Sequence, residues 1–401
     1  MSIMIYLAAG CLFLLLYAYI AFPLLVSLLA RLRPRKWRMD ETYRPTVSII
    51  LPVFNEELVL RRCIESLLNL NYPNDKIEIL CGSDGSMDSS PAILNEMAGK
   101  NQGIRPFFFP RQRGKMLTLN DLVAHANNEI LLFVDADVTL NPNAVLSHVR
   151  HYIDQSVGGV AGRLTIASER TDGIYRSEST FLSFESNLRR NEAEIGSTIG
   201  LYGGNYSMRR SMWHALPDDR VYDDFFAVLN IINSGQRLLY EDGAVSTELY
   251  ARDYREESAR KKRNASRCLY TFRFMPLVLF RGPAAWLLWP HKILRWATGF
   301  LALGVLLGSF AGYFAGMEWV LPFLVLESLI LILIFVGWIA RNSKRPLPLA
   351  SGMYWFFRMN LAFMMGIVEF LFSRQKPIWE QTSRFDSLSA VPIRDKEAVH
   401  S

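Results

Sequence analysis

The hydrophobic residues are concentrated at the two ends of the chain, and a long uncharged run lies near its start. Ile3 to Ala30 contains no charged residue, and a helix of that length can cross a bilayer with some tilt. The basic stretch RLRPRKWR, Arg31 to Arg38, follows this run, whereas a cleaved signal peptide carries its positive charge before a shorter apolar core. We therefore predict a retained membrane helix over residues 1–30 and a basic linker over 31–45. The positive-inside rule then predicts a cytoplasmic domain after the linker.

The last third of the chain is apolar again and predicts further membrane helices. Ala297–Met317 and Trp319–Ala340 both have the length of a span. Leu349–Phe372 fits either a span or an interfacial helix, because Arg358 and Glu369 interrupt it and charges inside a membrane are costly.

The segments on either side of these helices differ from them in composition. Residues 268–296 mix Trp, Pro and cations, which predicts an amphipathic segment in the headgroup region of a membrane. A loop packed on the soluble domain is the alternative. We assign residues 297–373 to the C-terminal membrane helices and residues 374–401 to a tail.

Between the two apolar ends, short apolar runs alternate with segments of helical periodicity, which is typical of an α/β domain. We predict such a domain over residues 46–267, with a largely parallel sheet. Ligands of open α/β sheets bind beyond the carboxyl ends of the strands. The predicted strands lie in TVSIILPVF, KIEILCGSDGS, IRPFFF and the run before VDAD, and the predicted helices start in the Asn55 region and cover Met87–Met97 and Lys115–Ala126.

The fourth predicted strand, in EILLFVDADVT, ends on two aspartates with one alanine between them. Side chains at positions i and i+2 of a strand point the same way, so Asp135 and Asp137 would project from one face. Two such carboxylates repel each other, and a divalent cation removes the conflict. Mg²⁺ or Mn²⁺ is typically held by one or two carboxylates together with substrate phosphates. A solvated acidic turn is the alternative for an isolated D-x-D.

Composition narrows the class of protein. Half of the 401 residues are hydrophobic, which suggests a soluble domain fused to membrane segments. The net charge is +6, and the basic clusters beside the apolar segments suit contact with membrane lipid, with no nucleic-acid motif among them. The four cysteines show no C-x-x-C spacing and predict neither a disulfide framework nor a zinc site. His148 and His151 share a helical face but lack a third ligand, so we expect them at the surface.

Four motifs in this order, ILPVFNEE, SDGSMDSS, GKMLTLN and VDADV, resemble the family 2 glycosyltransferases of the GT-A nucleotide-diphospho-sugar transferase fold. The segment YPNDKIEIL ahead of the second strand resembles the membrane-bound polysaccharide-synthase branch of that family. The resemblance covers residues 46 to about 267 in detail and the membrane layout in outline. It implies a GT-A domain fused to α-helical transmembrane segments.

For the donor, the resemblance implies that Pro52, Asn55, Glu56 and Asp84 line the nucleotide-base pocket, although Asp84 in SDGS is also a turn residue on general grounds. Lys115, at the start of a predicted helix, would face the diphosphate or else be a solvated lysine.

The D-x-D and a second acidic pair have separate implied roles. By resemblance, Asp135 is the nucleotide-side aspartate and Asp137 the principal metal ligand. Asp223 and Asp224 stand where the family has a Glu-Asp pair, and Asp224 would be the general base. An acidic helix amino terminus is the alternative for this pair.

Two further segments concern the acceptor and the leaving group. GLYGGNYSMRR resembles the glycine-rich acceptor segment, with Gly203, Gly204 and Asn205 as candidates. Arg260 and Arg263 lie where processive relatives carry Q-x-x-R-W, but Gln and Trp are missing here. The two cations would neutralise the departing diphosphate or belong to a juxtamembrane basic patch, and the missing Trp favours single addition.

The tail QKPIWEQTSR also resembles a segment of this branch. Its Trp379 and Arg384 would pack at the catalytic mouth, which requires a cytoplasmic tail.

We therefore expect an inverting glycosyltransferase dependent on Mg²⁺ or Mn²⁺, integral to a bacterial-type inner or plasma membrane. It would move a sugar from a nucleotide-diphosphate donor, by resemblance a UDP-sugar, to a lipid-linked or saccharide acceptor such as a polyprenyl-linked saccharide. Exopolysaccharide or cell-envelope glycan synthesis would be the setting. The alternatives are a processive polysaccharide synthase and a catalytically silent glycosyltransferase-like membrane binding protein. A transporter is disfavoured, because a large cytosolic domain makes it unnecessary.

Overall fold

The structure is a computed structural model that describes residues 2–167, 173–218, 220–249, 254–280, 282–343 and 347–372. A mixed sheet of eight strands organises its central part, in the order β3-β2-β1-β4-β7-β6-β8-β5. The strands are β1 Val47–Val53, β2 Ile77–Asp84, β3 Ile104–Phe109, β4 Ile130–Phe133, β5 Val138–Leu140, β6 Val157–Ala167, β7 Tyr206–Arg209 and β8 Arg237–Leu249.

The first half of the sheet follows the sequence prediction. β1 pairs in parallel with β2 and β4, and β2 pairs in parallel with β3. Every residue of β1 is buried, as expected for a parallel strand covered on both faces. The carboxyl ends of β1, β2 and β4 therefore meet at one edge.

The second half of the sheet differs from the prediction of a largely parallel arrangement. β7 pairs antiparallel with both β4 and β6, and β5 pairs antiparallel with β8, while β6 and β8 are parallel. The sheet is therefore mixed, because β7 reverses the direction between β4 and β6.

Fourteen α-helices in the described part of the chain surround or extend this sheet. Short π-helical turns at Tyr17–Ala21 and Trp289–Ile293 link α1 to α2 and α10 to α11. The helices are α1 Ser2–Leu16, α2 Phe22–Leu32, α3 Leu60–Leu68, α4 Ser90–Lys100, α5 Lys115–Ala124, α6 Ala144–Val149, α7 Gly173–Ile195, α8 Asp223–Asn233, α9 Tyr254–Thr271, α10 Gly282–Leu288, α11 Leu294–Trp296, α12 Thr298–Phe314, α13 Leu321–Ile339 and α14 Pro348–Leu371.

The helix predicted from the Asn55 region begins five residues later, at Leu60. Asn55 has a φ of 52°, a left-handed conformation that asparagine tolerates better than most residues. Its side-chain oxygen accepts a hydrogen bond from the Met87 backbone at 2.9 Å. Residues 55–59 therefore form a turn at the end of β1. The next helix likewise starts at Ser90 rather than at Met87.

Two helical segments of the described residues are long and apolar enough to cross a membrane, Ile3–Leu32 and Glu318–Ile339. A third would be counted if Gly282–Trp296 and Thr298–Phe314, bent by 65° with respect to each other, formed one span. α12 alone has 17 residues, about 25 Å of helix, which is short for a hydrocarbon core of about 30 Å.

Candidate active site

The edge formed by the carboxyl ends of β1 and β4 opens into a cavity of about 200 Å³, here called the catalytic pocket. The structure brings eleven of the predicted site residues to its wall. These are Pro52, Glu56, Lys115, Asp135, Asp137, Gly203, Gly204, Asp223, Asp224, Arg260 and Arg263.

The D-x-D motif lies in a turn rather than on a strand, because β4 ends at Phe133 and β5 begins at Val138. The Asp135 backbone oxygen closes the turn by accepting a hydrogen bond from the Val138 amide at 3.1 Å. Ala136 between the two aspartates is buried, whereas both carboxylates line the catalytic pocket. Asp135 and Asp137 therefore both face the pocket, as predicted, but they do so from a turn and not from a strand.

The donor set at the D-x-D fits a divalent cation that is shared with a ligand. Asp135 and Asp137 offer hard carboxylate oxygens, which Mg²⁺ and Mn²⁺ prefer. Within the described ranges, no cluster of three or more His, Cys, Asp and Glu side chains has the arrangement of a metal site. The D-x-D therefore offers two carboxylates, and Mg²⁺ is typically held by one or two carboxylates together with substrate phosphates.

Lys115 connects the two acidic motifs. It begins α5 after Gly114, which has a φ of 104°. Its ammonium group lies 2.9 Å from Asp135 Oδ1 and 2.9 Å from Asp223 Oδ2. Burial opposes the charge on Lys115, but the carboxylates of Asp135, Asp223 and Asp224 outweigh it and raise the pKa of Lys115 well above its usual range. The alternative of a solvated lysine is thus wrong.

Asp223 and Asp224 open α8 and are both buried. Burial, and then the neighbouring Asp223 carboxylate, raise the pKa of Asp224 well above its usual range. Asp224 Oδ1 has no hydrogen-bond partner among the described residues. A Cβ built on Gly203 would lie 2.4 Å from this oxygen. Asp224 is therefore a buried carboxyl group that packs against Gly203 and has one oxygen without a hydrogen-bond partner among the described residues.

Three predicted site residues lie outside the wall of the catalytic pocket and hydrogen-bond to the protein. Asp84 is buried and accepts hydrogen bonds from the backbone amides of Arg113 at 3.0 Å and Gly114 at 2.8 Å. It thereby shapes the loop before Lys115. Asn55 holds the turn after β1, and Asn205 is fully buried, with its amide donating to the Ala244 carbonyl at 2.7 Å.

His148 and His151 are buried, so the prediction that they lie at the surface is wrong. The Asn205 side-chain oxygen is 2.9 Å from His148 Nε2, and burial lowers the pKa of His148 to about 4. His151 Nε2 lies 2.6 Å from a Glu241 carboxylate oxygen. His148 faces inward because α6 packs against β8, and His151, just after α6, is held by Glu241 of β8. Helical periodicity alone does not indicate these long-range contacts.

The basic helix α9 contributes more cations than the sequence prediction named. Arg260, Arg263 and Arg267 line the catalytic pocket together with Asn264. These positions share one helical face by their i, i+3, i+4 and i+7 spacing, a signal that could have identified Arg267 and Asn264. Arg260 is held by Glu257 at 2.7 Å. Burial opposes its charge, but Glu257, Glu248 and Glu178 raise its pKa well above the usual range.

Two tyrosines of the pocket wall were also absent from the sequence prediction, Tyr202 and Tyr222. The Asn264 side chain donates to the Tyr222 hydroxyl at 3.2 Å, which links α9 to the start of α8. Trp379 and Arg384 of the tail lie outside the described residues.

Residues 48–216 match the family model for glycosyl transferase family 2. The chain is 28% identical over 275 residues to the "Probable glycosyltransferase YdaM" of Bacillus subtilis, a match covering 66% of this chain and 57% of that protein. It is 28% identical over 181 residues to the "Beta-monoglucosyldiacylglycerol synthase" of a Nostoc species, covering 44% of this chain and 39% of that protein. Both matches span less than two thirds of the relative's own length.

A solved structure shares the fold over almost the whole chain. The mannosyltransferase PcManGT from Pyrobaculum calidifontis, in complex with GDP-Man and Mn²⁺, gives a TM-score of 0.71 at 21% identity and covers 92% of this chain and 100% of that chain. The fold is therefore the GT-A fold of nucleotide-sugar-dependent transferases. The helices α1, α2 and α12 to α14, here called the membrane-type helices, are attached to it. Residues 48–216 are therefore a family 2 glycosyltransferase domain, as the motifs predicted.

Proposed function

We propose that the protein is an inverting, metal-dependent glycosyltransferase that moves a sugar from a nucleotide-diphosphate sugar, by expectation a UDP-sugar, to a membrane-associated acceptor. The observation that carries the proposal is the composition of the catalytic pocket. One cavity combines the D-x-D carboxylates, the Lys115 bridge, the buried Asp224 and the cationic face of α9.

Asp224 is the proposed general base. Its unpartnered Oδ1 would take the proton of the acceptor hydroxyl as that oxygen forms a bond to the anomeric carbon. The bond from the anomeric carbon to the diphosphate oxygen breaks on the opposite face, so the anomeric configuration is inverted. The raised pKa of Asp224, caused by burial beside Asp223, makes its carboxylate a stronger base than an exposed aspartate.

The remaining residues would bind and orient the donor. Lys115 holds Asp135 and Asp223 at a fixed separation. The cations of α9 at Arg263 and Arg267 would balance negative charge on the leaving diphosphate. Asp135 and Asp137 would hold Mg²⁺ or Mn²⁺, which neutralises diphosphate charge when bound. The structure of PcManGT in complex with GDP-Man and Mn²⁺ supports this class of donor and cofactor.

We also propose that the protein is integral to a bacterial-type plasma membrane, with the catalytic pocket on the cytoplasmic side. The two apolar helices Ile3–Leu32 and Glu318–Ile339 and the basic residues 31–38 support this orientation. Membrane lipid is then a permanent partner. The Nostoc relative is named as a synthase of a glucosylated diacylglycerol, which supports a membrane-associated acceptor here.

The test is nucleotide release by the full-length protein in detergent, given UDP-, GDP- and dTDP-sugars with Mn²⁺ or Mg²⁺ and a membrane lipid extract. Asp224→Asn should lower release by about 10²–10⁴-fold, the usual contribution of a general base. Asp137→Ala should abolish the metal dependence together with most of the activity. Glu65→Gln, an exposed carboxylate of α3, serves as the control.

Equal release by the wild type and Asp224→Asn would contradict the assignment of the base. Binding of donors without release by any of the proteins would favour the silent membrane binding protein instead.

A further inference from the structure

A second and larger cavity lies where the catalytic domain meets the membrane-type helices. It has a volume of about 640 Å³ and is lined by parts of α7, α9 and α14, by the segment from His291 to Trp296 and by Tyr19 of the N-terminal helix. We call it the junction cavity. Its volume is in the range of cavities that bind small organic ligands. It takes no part in donor binding as described above.

The junction cavity adjoins the catalytic pocket. Both are lined by Tyr202, Tyr222 and Asn264, among other residues. Tyr202 directly precedes Gly203, the residue packed against Asp224. The junction cavity therefore meets the catalytic pocket at Tyr202, next to the residue that contacts the proposed base.

The polar wall of the junction cavity is more basic than acidic. Six cationic side chains line it, against three carboxylates at Glu178, Glu185 and Glu248. Several of the cations are compensated, since Arg260 and Lys261 contact Glu178 and Glu257 and Arg295 contacts Glu185. Lys292 has no such partner among the described residues, and Arg189 has an acceptor for only one of its three nitrogens.

Lys292 is held in place by its neighbours, although its own ammonium group has no hydrogen bond or ion pair among the described residues. It lies on the π-helical turn Trp289–Ile293. Adjacent His291 contacts Glu192 at 2.6 Å and Glu185 at 3.2 Å, which fixes the turn to α7. Lys292 thus presents a positive charge in the cavity wall.

Arg189 of α7 is nine-tenths buried or more, with 4% of its surface exposed. One nitrogen contacts Glu185 at 3.3 Å, while Nε and Nη1 have no hydrogen-bond partner among the described residues. Its guanidinium group lies 4.1 Å from the centre of the Tyr202 ring. Buried donors without acceptors are costly, so an anion between Arg189 and Lys292 would satisfy both.

The other wall is apolar and reaches the outside. Phe181 and Phe184 of α7 line the cavity together with Trp355, Phe356 and Met359 of α14, and the centres of the Phe181 and Trp355 rings lie 5.5 Å apart. Phe184 and Phe356 are 36% and 39% exposed, on the side where the membrane-type helices lie. An apolar chain could therefore enter the cavity from a surrounding membrane.

We propose that the junction cavity is the acceptor site and that it binds a lipid-linked phosphate or diphosphate, with Lys292 and Arg189 on the phosphate and the lipid chain along the α7 and α14 aromatic side chains. The acceptor sugar of such a lipid lies towards Tyr202 and Asp224. This proposal rests on the proposed transferase function and adds that the enzyme prefers an anionic acceptor to a neutral glycolipid.

The experiment measures lipid binding to the full-length protein in detergent by native mass spectrometry. The probes are a polyprenyl phosphate, the polyprenol of the same length, phosphatidylglycerol and inorganic phosphate. Wild type should bind the polyprenyl phosphate at least about tenfold more tightly than the polyprenol, and more tightly than the two other phosphates. Lys292→Gln should remove most of this preference, because it deletes one charge-assisted contact. Lys292→Arg should retain it.

The control is Lys100→Gln, a largely exposed lysine of α4, which should keep the wild-type preference. Equal binding of polyprenol and polyprenyl phosphate, or a preference unchanged in Lys292→Gln, would overturn the proposal. Phosphatidylglycerol binding as tightly as the polyprenyl phosphate and with the same dependence on Lys292 would also overturn it, since the cavity would then hold bulk phospholipid. A failed nucleotide-release assay, in contrast, counts against the transferase function and leaves the binding result intact.

Discussion

The absence of a side chain at Gly203 allows the carboxylate of Asp224, the proposed base, to lie where it does. A Cβ on Gly203 would lie 2.4 Å from one Asp224 oxygen and 2.7 Å from the other. Real Cβ atoms do not approach oxygen so closely, so any other residue here must displace the carboxylate. The resemblance made Gly203 a candidate for the acceptor site, and the structure adds a contact with the proposed base.

We predict that Gly203→Ala lowers nucleotide release at least about tenfold, which corresponds to a barrier increase of about 1.4 kcal/mol. The Asp224 side chain must rotate away from its position, while the fold stays intact because Gly203 has no positive φ. The measurement is the kcat of release beside the thermal unfolding midpoint. Gly99→Ala in α4 is the matched control, because nothing lies within 4 Å of the position that a Cβ would take there, and it should leave kcat unchanged. A kcat for Gly203→Ala equal to that of Gly99→Ala would contradict the prediction.

The acidic site residues could be predicted from sequence because their types are chemically restrictive, whereas their supporting contacts could not. Asp135, Asp137 and Asp224 reach the catalytic pocket as expected. Asn205 stands in the same glycine-rich segment as Gly203 but is buried against His148 and Ala244. Its burial depends on contacts with α6 and β8, which are distant in the chain. The local sequence pattern therefore could not predict it.

At the scale of elements, α14 explains why an apolar segment carries two charges. Glu369 forms an ion pair with Lys262 of α9 at 2.6 Å, and Arg358 donates to Ser258 of α9 at 3.1 Å. Gly366 lets the two helices approach, since its Cβ would lie 2.4 Å from the Lys262 backbone oxygen. α14 therefore packs along the basic helix of the catalytic pocket, and its charges are satisfied there. This supports the interfacial alternative for Leu349–Phe372 over a lipid-surrounded span.

The contact between α6 and β8 gives a prediction on pH. Burial would raise the pKa of Glu241, but hydrogen bonds from His151 and Arg150 lower it to about 2. A carboxyl group whose pKa is lower in the folded than in the unfolded state stabilises the fold above the unfolded pKa of about 4.5. That contribution, on the order of 3 kcal/mol, should disappear as the pH falls from about 4.5 to about 2.

Glu241→Gln tests this, with thermal unfolding measured between pH 6 and pH 3. The variant should be less stable than wild type at pH 6, and the difference should shrink at pH 3. Glu65→Gln on the exposed face of α3 should follow the wild-type curve throughout. A constant difference between Glu241→Gln and wild type across this range would contradict the linkage.

At the scale of the whole molecule, the sequence predicted the half of the sheet whose strands follow each other in the chain. It did not predict the half in which strands far apart in the chain pair. β1 to β4 are joined by single helices, so alternating periodicity predicted them. β7 and β8 pair with β4 and β5, more than 70 residues earlier in the chain. Strands outside the regular strand–helix alternation give no indication of the order and direction in which they pair. The mixed sheet could therefore not be predicted from the sequence.

The N-terminal helix was predicted as an anchor, yet its second half belongs to the core of the molecule. Phe22 and Val26 of α2 are fully buried in the same hydrophobic cluster as β1 and β4. Phe22 meets the Trp286 ring edge-on at 5.5 Å, and α2 packs against α7. The membrane-type helices and the catalytic domain therefore share one core.

We accordingly predict that Phe22→Ala destabilises the whole catalytic domain. Truncating a buried phenylalanine costs about 3–5 kcal/mol, so the unfolding midpoint in detergent should fall by several degrees and hydrogen exchange in β1 should accelerate. Phe13→Ala in α1 is the matched control, because Phe13 is 67% exposed in the same helical segment and faces away from the core. If the N-terminal helix served only as a membrane anchor, Phe22→Ala and Phe13→Ala would have the same unfolding midpoint. A drop confined to Phe22→Ala would instead mean that the N-terminal helix also stabilises the catalytic domain, so that this domain is stable only with the helix attached.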